Sequence, residues 1–474
     1  MRAWASPSGS SRERGSEVRD WTGHLVVLGL GASGRAAAEW GLSRARDGVR
    51  VTVLDSGTGD AVVECAESLR ERGAEVRFGV DHVESGDVVV ASPGIRPTAP
   101  LMLSARALGA PVISEIELAY RISRAPWIAI TGTNGKTTTT ALVTHLLREA
   151  GFVAEPAGNI GPAAVRVAGE VGEAGIIVAE VSSFQLSLTD TFHPRVAALL
   201  NITPDHIDYH GSLEAYAAEK AKVFARQVSG DTAIIDVDDE GSRALADPVA
   251  ERGVTVCRVS RTSTPADGAY LHGTTLVLEE RGVEHPLVDV ADLRIMGEHN
   301  VSNALAAAAC ARAAGAGIEA IRSGLMSFRP IEHRLEPVRT VDGAEYFNDS
   351  KATNPDAVLK ALTAFGERPL VVLLGGRNKG VDMRPLAAAV KARTDSVVVF
   401  GEAAAEIADA FHEVALHVVS ARGLEEAVDA ARTLARPGGV VLLSPGCTSF
   451  DEFTGYEERG RRFKEIVGRM VESA

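Results

Sequence analysis

The sequence predicts an α/β protein of three domains, each built on a mainly parallel sheet. Short runs of Val, Ile and Leu alternate with Ala-rich helical stretches through most of the chain, which is typical of parallel strands covered by helices. Glycine-rich or polar loops follow several of these runs, where open α/β sheets bind ligands. The length of 474 residues suits about three domains of roughly 150 residues each.

Composition and charge narrow the class of protein. The chain has 63 acidic and 49 basic residues, a formal charge of −14 and no basic tract, which argues against nucleic-acid partners. Its four scattered cysteines predict neither a disulfide framework nor a metal finger. It has no secretory h-region and no apolar run of about 20 residues, so no membrane span is predicted. We expect a cytoplasmic protein and a monomer, with a flexible extension at residues 1–22.

The first predicted domain covers residues 23–123 and is Rossmann-like. Its opening strand leads into the fingerprint GLGASG (29–34), whose glycines permit a tight turn and close approach to a phosphate. Asp55 ends the next strand, where a ribose-binding acid would lie. The pattern fits a dinucleotide or a nucleotide-sugar, and a packed turn that binds no ligand is the alternative.

The second predicted domain covers residues 124–328 and is P-loop ATPase-like. A buried strand leads into GTNGKTTTT (132–140), whose backbone amides can cradle phosphates. Lys136 supplies a positive charge and Thr137 a hydroxyl for magnesium. The loop is a shortened variant, because its two glycines are only three positions apart. Polar, β-like sequence at 253–290 predicts a small antiparallel excursion.

Two further polar segments follow in this domain. Glu180, at the end of an apolar strand, either binds magnesium or caps the next helix. In NITPDHIDYHGS (201–212), Thr203 and Pro204 predict a helix start. His206, Asp208 and His210 are potential zinc ligands. One short cluster, however, falls short of the four Cys or His ligands usual in structural zinc sites.

The third predicted domain covers residues 329–474 and is again Rossmann-like. Polar loops follow three of its strands, and they should meet because the carboxyl ends of parallel strands share one edge. The loops are FNDSKATNPDA (347–357), GGRNKG (375–380) and SPGCTSFDEF (444–453). The residues they offer are Asp349, Lys351, Thr353, Lys379 and Ser449. Arg334, in HRLEPV, either reaches a phosphate or base or is a solvated surface charge.

In this order the motifs resemble the Mur ligase superfamily. The strings that carry the resemblance extend over residues 24 to about 466: GTNGKT, EVSSFQL, NITPDHIDYHGS, GEHN, HRLE, NDSKATNPDA, LLGGRNKG and SPGCTSFDEF. Three of them, SSFQL, NDSKATN and SP-C-SFD-F, are similar to the members that add D-glutamate. The resemblance implies an ATP-dependent ligase that adds D-glutamate to UDP-N-acetylmuramoyl-L-alanine through an acyl phosphate, in peptidoglycan precursor synthesis. It also implies Mg²⁺, with two ions expected, and closure of the third domain over the substrates.

The resemblance further implies roles by matched position. The residues implied to bind ATP are Gly132, Asn134, Gly135, Lys136, Thr137, Thr138, Asn300, Asn303, Arg334, Asp349 and Lys351. Those implied for the UDP substrate are Ser33, Asp55, Ser56, Asn159 and Gln185. Those implied for glutamate are Thr353, Lys379, Ser449, Phe450 and Tyr456. Thr137, Glu180, His206 and Lys220 are the implied metal ligands, and the implied catalytic residues are Lys136, Glu180, His206 and Lys220.

The family also carries a lysine that carbon dioxide converts to a carbamate beside the second magnesium. In AYAAEKAKVF (215–224), the pattern K-x-(K/R)-(V/I)-F matches Lys220 as the modified residue, and Lys222 is the alternative. Tyr456 departs from the pattern, since an aromatic is expected there but not necessarily a phenol. The resemblance does not explain the N-terminal extension.

Two other classes of function are weighed against the ligase. An NAD-dependent dehydrogenase would explain the glycine fingerprint and Asp55, but not the GKT loop or the third domain. A non-catalytic nucleotide-binding regulator would explain the fold without turnover. It would tolerate loss of Lys136 or Glu180, and both are present.

Overall fold

The computed structural model describes most of the chain as two compact units. The first unit runs through residue 293 and includes 299–328, and the second comprises 294–298 and the chain from 329 onward. The described residues are 22–56, 60–159, 161–329, 332–378, 380–394, 396–416 and 418–471. Lys379 and nearly all of the predicted extension therefore lie outside the described residues. The division into three domains stays a prediction.

The described residues form three sheets. The first contains β1 Gly23–Leu28, β2 Val49–Asp55, β3 Glu75–Phe78, β4 Val88–Ala91 and β5 Val112–Ser114. The second contains β6 Trp127–Thr131, β7 Ala154–Gly158, β8 Ile176–Glu180, β9 Val196–Leu199, β10 Thr232–Asp236, β11 Thr255–Ser260, β12 Ala269–His272, β13 Thr275–Glu280 and β14 Val283–Asp289. The third contains β15 Glu336–Val341, β16 Ala344–Asn348, β17 Leu370–Gly375, β18 Ser396–Phe400, β19 Val418–Ser420 and β20 Val440–Gly446.

Helices connect and cover these strands. The first unit contains α1 Ala32–Ser43, α2 Asp60–Glu71, α3 Pro100–Ala107, α4 Glu115–Ile122, α5 Lys136–Glu149, α6 Ala164–Glu170, α7 Ser183–Leu186, α8 Ile207–His210, α9 Leu213–Ala221, α10 Glu240–Arg243, α11 Ala246–Ala250, α12 Glu298–Ala313 and α13 Ile318–Ser327. The second unit contains α14 Pro355–Leu362, α15 Arg384–Arg393, α16 Ala404–Glu413, α17 Leu424–Leu434 and α18 Tyr456–Arg469.

The first unit holds two sheets. The first sheet is parallel throughout, with strand order β3-β2-β1-β4-β5. The second has the order β14-β13-β12-β11-β10-β9-β6-β8-β7, parallel from β7 to β11 and antiparallel among β12, β13 and β14. The antiparallel strands lie within the predicted excursion. Residues of both sheets, among them Val27 and Ala129, pack in one apolar core.

The second unit holds the third sheet, with strand order β15-β16-β20-β17-β18-β19. Only the β15–β16 pair is antiparallel. Apolar residues cover both faces of this sheet, in separate clusters that contain Val372 and Leu373 respectively. Burial on both faces explains why the sequences of these strands are continuous apolar runs. The predicted α/β fold class is confirmed.

Candidate functional site

A cavity of about 550 Å³ lies in the first unit, beside the loops that follow β1, β2 and β4. The loop after β7 and residue Gln185 complete its wall. All five residues predicted to contact a nucleotide-sugar line this one cavity: Ser33, Asp55, Ser56, Asn159 and Gln185. Ser33 and Gln185 are 152 positions apart in sequence, so no local pattern could have grouped these residues, and the fold brings them together.

The glycine fingerprint forms a tight turn against Asp55. The Asp55 carboxylate accepts a hydrogen bond from the backbone amide of Leu30 at 2.7 Å. Gly29 has a left-handed φ of 87°, which a glycine adopts at little cost. Asp55 therefore both lines the cavity and, through one carboxylate oxygen, holds the backbone of the glycine-rich loop.

Replacing Gly34 by Ala should destabilise the protein, whereas Gly31→Ala should not. A Cβ at Gly34 would lie 1.8 Å from the carbonyl oxygen of Gly29, while one at Gly31 meets nothing within 4 Å. We expect Gly34→Ala to lower Tm by about 4 °C or more and Gly31→Ala to leave it within about 1 °C, measured by thermal unfolding. Equal Tm values for the two variants would contradict this close packing.

The phosphate loop, residues 132–136, joins β6 to α5. Gly135 precedes the helix with a left-handed φ of 83°. The Lys136 ammonium donates to the carbonyl oxygens of Gly132 at 2.9 Å and Thr133 at 2.8 Å. The lysine is thus folded over its own loop, at a helix N-terminus that favours phosphate.

Side chains from elsewhere hold this loop in place. Asn201 accepts a hydrogen bond from the Asn134 amide at 2.8 Å and donates to the Asn134 carbonyl at 3.2 Å. The Tyr216 hydroxyl donates to Oγ1 of Thr133 at 3.2 Å. Asn201 and Tyr216 carry no local sequence signal for this role, because each acts on a loop distant in sequence.

The first turns of α5 and α12 lie together. The Asn303 amide donates to Oδ1 of Asn300 at 2.9 Å, and Oδ1 of Asn303 accepts from the Thr139 hydroxyl at 3.3 Å. Both asparagines are buried, as are Thr137 and Thr138 at the start of α5. The predicted ATP residues of the first unit thus belong to two adjoining helix starts.

Glu180 ends β8 and is 1% exposed. Its Oε1 accepts a hydrogen bond from the Asn159 side-chain amide at 2.9 Å. Its Oε2 is buried and has no hydrogen-bond partner among the described residues. The alternative role as a helix cap is wrong, because Ser182 caps α7 in a reciprocal arrangement with Gln185. A buried carboxylate oxygen without a donor is suited to a cation.

Lys220 lies in α9 and is 1% exposed. Its Nζ donates to the Gly132 carbonyl at 2.7 Å and lies 4.5 Å from the centroid of the Tyr216 ring. Burial, reinforced by the positive charge of Lys136, lowers the pKa of Lys220 to about 6, against the opposing effects of Asp205 and Glu180. At neutral pH this amine is therefore mostly uncharged.

Lys222 has a different environment. Its ammonium lies 2.6 Å from a carboxylate oxygen of Glu219, and its side chain is 37% exposed. Of the two candidate lysines, only Lys220 contacts the phosphate loop.

Residues 203–206 form a loop, which corrects the predicted helix start at Thr203. The Thr203 amide donates to Oγ1 of Thr133 at 3.0 Å, and the Thr203 carbonyl accepts from the same hydroxyl at 3.1 Å. Helix α8 instead follows His206, whose φ is 53°. Pairing with the phosphate loop competes with helix formation here, a contact that local pattern could not reveal.

The two histidines of this segment have separate surroundings. The exposed ring of His206 lies 4.7 Å from the Phe184 ring, between centroids. Nε2 of His210 is 3.0 Å from the Ser183 hydroxyl, and its ring stacks on Phe184 at 5.4 Å. His206 thus ends the 203–206 loop, whose Thr203 is hydrogen-bonded to the phosphate loop.

In the second unit, Asp349 follows β16 at the sheet edge. It accepts hydrogen bonds from the Ser444 hydroxyl at 2.8 Å and the Leu335 amide at 3.2 Å. Burial raises the pKa of Asp349 to about 7, although Ser444 and Arg334 act in the opposite direction. The pKa of Asp349 is therefore near neutral, and its carboxylate joins the residue after β16 to Ser444 of β20.

Arg459, in α18, is a residue that the sequence analysis missed. Its side chain is fully buried, and burial lowers its pKa to about 10. The guanidinium donates to the hydroxyl and carbonyl of Ser350 and to the carbonyls of Gly375 and Cys447, at 2.9 to 3.4 Å. One buried cation thus links all three predicted strand-end loops. The surrounding sequence, EERGRR (457–462), is typical of an exposed charged helix face and does not indicate that this arginine is buried.

The other predicted residues of the second unit lie around these loops. The Lys351 ammonium lies 5.6 Å from the centroid of the Tyr456 ring. The Thr353 amide donates to the Lys351 carbonyl at 2.9 Å. Ser449 is buried, while Phe450 is 58% exposed. An exposed phenylalanine beside three polar loops is available for a ligand.

Among the described residues, one group of carboxylates and imidazole has metal-ligand spacing, formed by Glu332, His333 and Glu336. The Lys464 ammonium already lies 2.5 Å from Glu332 and 3.0 Å from Glu336. A protein cation therefore fills the position that a metal would take.

Comparison with known families agrees with this fold. The chain matches the Mur ligase middle domain over residues 130–311 and the Mur ligase glutamate ligase domain over residues 333–447. In solved structures, it is similar to UDP-N-acetylmuramate-alanine ligase MurC from Thermotoga maritima, with a TM-score of 0.57, 20% identity, and coverage of 94% of this chain and 99% of that one. MurF from Acinetobacter baumannii gives a TM-score of 0.57, 18% identity, and coverage of 88% and 90%. The structural neighbours show the fold, and the family matches define the class of protein as an ATP-dependent, amide-forming ligase.

Relatives with higher sequence identity indicate which family within this class of ligases the chain belongs to. A UDP-N-acetylmuramoylalanine–D-glutamate ligase from Pelotomaculum thermopropionicum is 42% identical over 455 residues, covering 95% of this chain and 98% of the relative. The enzyme of that name from Salinibacter ruber is 41% identical over 455 residues, covering 94% and 98%. The chain belongs to the UDP-N-acetylmuramoylalanine–D-glutamate ligase family of Mur ligases. The dehydrogenase alternative is thereby wrong.

Proposed function

We propose that the protein joins D-glutamate to UDP-N-acetylmuramoyl-L-alanine and converts ATP to ADP and phosphate, as a cytoplasmic monomer in peptidoglycan precursor synthesis. One observation supports this above the others. The cavity that contains every predicted nucleotide-sugar residue is linked to Glu180 through Asn159, and Glu180 ends the strand beside β6 and the phosphate loop. A nucleotide-sugar acid and a triphosphate can therefore bind to adjoining parts of one unit.

The chemistry begins with a carboxylate, which is a poor electrophile. Its oxygen attacks the γ-phosphorus of ATP, the bond to the β-phosphate oxygen breaks, and an acyl phosphate forms. Charge on the transferred group is neutralised by Lys136 and the amides of residues 132–136. Lys136 now donates to two carbonyls, and it would exchange these for phosphate oxygens. The uncharged amine of glutamate then attacks the acyl carbon, and phosphate departs as the amide forms.

The residues present fit magnesium. The buried Oε2 of Glu180 has no protein donor within the described part of the chain, and carboxylate oxygens are ligands that Mg²⁺ prefers. Thr137, His206 and Lys220 would be the other ligands, Lys220 through a carbamate, for two ions. Bound magnesium supplies charge neutralisation at the transferring phosphate.

Lys220 is the lysine that we propose reacts with carbon dioxide. An uncharged amine is required, because its lone pair forms the N–C bond and the nitrogen then loses a proton. Burial supplies this form at neutral pH by lowering the pKa to about 6. The product carries a negative charge in place of a neutral amine, within electrostatic influence of Glu180, and a cation would offset both negative charges.

The second unit would supply the amino-acid contacts. We propose Thr353, Lys379, Ser449, Phe450 and Tyr456 for glutamate, and Arg334, Asp349 and Lys351 for ATP, with Asn300 and Asn303 of the first unit. A lysine opposite the side-chain carboxylate of glutamate gives a charge-assisted contact. His206 is also a candidate for accepting the proton of the attacking amine, which a shifted pH–rate profile in His206→Asn would support.

Phosphate release tests the proposed substrates directly. The purified protein is assayed with ATP, Mg²⁺ and UDP-N-acetylmuramoyl-L-alanine, together with D-glutamate, L-glutamate, lysine or diaminopimelate. We expect release with D-glutamate alone. Release with another amino acid but not with D-glutamate would overturn the proposed substrate.

Glu180→Gln should lower kcat by about 10²-fold or more, because it removes a charged magnesium ligand while keeping the side chain's shape. Phosphate release across a magnesium titration measures this loss. The matched control is Glu173→Gln, a surface residue whose carboxylate pairs with Arg124. If Glu180→Gln and the control show the same kcat and the same magnesium dependence, Glu180 is not a ligand.

A further inference from the structure

Asn159 lies where the cavity and the acid that ends β8 meet. Strands β7 and β8 run parallel, with Gly158 opposite Glu180. The backbone amide of Asn159 donates to the Glu180 carbonyl at 3.0 Å, and its side-chain amide donates to Oε1 of Glu180 at 2.9 Å. Asn159 itself is exposed and lines the cavity. One side chain thus contacts both a buried carboxylate and the space for the UDP substrate.

We propose that Asn159 couples occupancy of the cavity to cation binding at Glu180, so that each ligand strengthens binding of the other. This inference rests on the proposed function, which assigns the UDP substrate to the cavity and Mg²⁺ to Glu180. It goes beyond a contact role for Asn159, because it assigns the residue a thermodynamic link between two ligands.

The physical basis is the shared orientation of two side chains. With Oε1 of Glu180 held by Asn159, the unpartnered Oε2 is the oxygen left for a cation. A cation at Oε2 fixes the carboxylate and, through it, the asparagine amide. The substrate then binds to an asparagine side chain that is already oriented, so less conformational entropy is lost on binding. By linkage, the substrate favours the cation by the same factor.

Isothermal titration measures this coupling without turnover. UDP-N-acetylmuramoyl-L-alanine is titrated into the full chain with a non-hydrolysable ATP analogue, once with Mg²⁺ and once with EDTA. For the wild type we expect Kd to fall by about fivefold or more when Mg²⁺ is present. For Asn159→Ala and Asn159→Ser the ratio of the two Kd values should approach one. Because Asn159 is exposed, both variants should fold, which their thermal unfolding checks.

Ser33→Ala is the matched control, since Ser33 lines the same cavity from the first turn of α1, whereas Asn159 follows β7 beside Glu180. It should weaken binding under both conditions and leave the ratio unchanged. A wild-type ratio of one, or an undiminished ratio in both Asn159 variants, overturns the coupling. Failure of the wild type to bind the UDP substrate at all would instead refute the proposed function, so the two outcomes are distinct.

Discussion

Lys220→Met should stabilise the folded protein at neutral pH while abolishing most of its activity. In the folded state Lys220 is buried with a pKa of about 6, against 10.5 for the ordinary side chain. Between these values the unfolded chain holds a proton that the folded protein lacks, so wild-type stability rises with pH across this window. Methionine keeps the apolar volume and has no proton to lose. The Gly132 carbonyl keeps its second donor, Lys136.

The free energy of unfolding in urea, at pH 7 and pH 9, in buffers free of magnesium and carbon dioxide, measures this effect. The advantage of Lys220→Met should shrink by about 2.6 kcal/mol between the two pH values. Other titrating groups are common to both proteins and cancel in the difference. Activity, assayed separately with magnesium, should fall by about 10²-fold or more, because the proposed carbamate ligand of magnesium is lost.

Lys222→Met is the matched control on the neighbouring turn. Its ion pair with Glu219 is partly solvated, so stability should change by about 0.5 kcal/mol or less at both pH values. If Lys220→Met were less stable than the wild type at both pH values, or if its advantage did not vary with pH, the ammonium would not be desolvated in the folded protein.

Arg459→Met should destabilise the second unit by about 3 kcal/mol or more, because it leaves buried carbonyls of Ser350, Gly375 and Cys447 without a strong donor. Unfolding of the full chain in urea measures the loss. Where the variant remains folded, the KM for D-glutamate should rise as well, since the three loops that the arginine joins carry the proposed glutamate contacts.

Arg462→Met, one turn along α18, is the control for this prediction. Arg462 pairs with Glu425 and Glu465 and its side chain is 34% exposed, so its loss should cost about 0.5 kcal/mol or less. Arg459→Lys keeps the charge without the planar fork and should fall between the wild type and Arg459→Met. Equal stability of Arg459→Met and Arg462→Met would falsify the linking role.

Three residues owe their roles to contacts that local sequence does not reveal: Lys220, Thr203 and Arg459. Burial now distinguishes Lys220 from Lys222, which the motif left as alternatives. The helix predicted from Thr203 begins instead after His206, because Thr203 pairs with the phosphate loop. Arg459 carried no sequence signal at all. In each case the deciding contact joins segments far apart in the chain.

The sequence by itself determined the α/β class, the strand-end position of the polar loops and the GKT phosphate loop. These follow from apolar periodicity and glycine spacing, which act over a few residues. Tertiary structure alone decided which polar groups are desolvated, namely the buried Oε2 of Glu180 and the uncharged amine of Lys220. It also brought Ser33 and Gln185 into one cavity, a grouping that the sequence offered only through a family resemblance. Burial and proximity arise from packing between distant segments, and no local pattern encodes them.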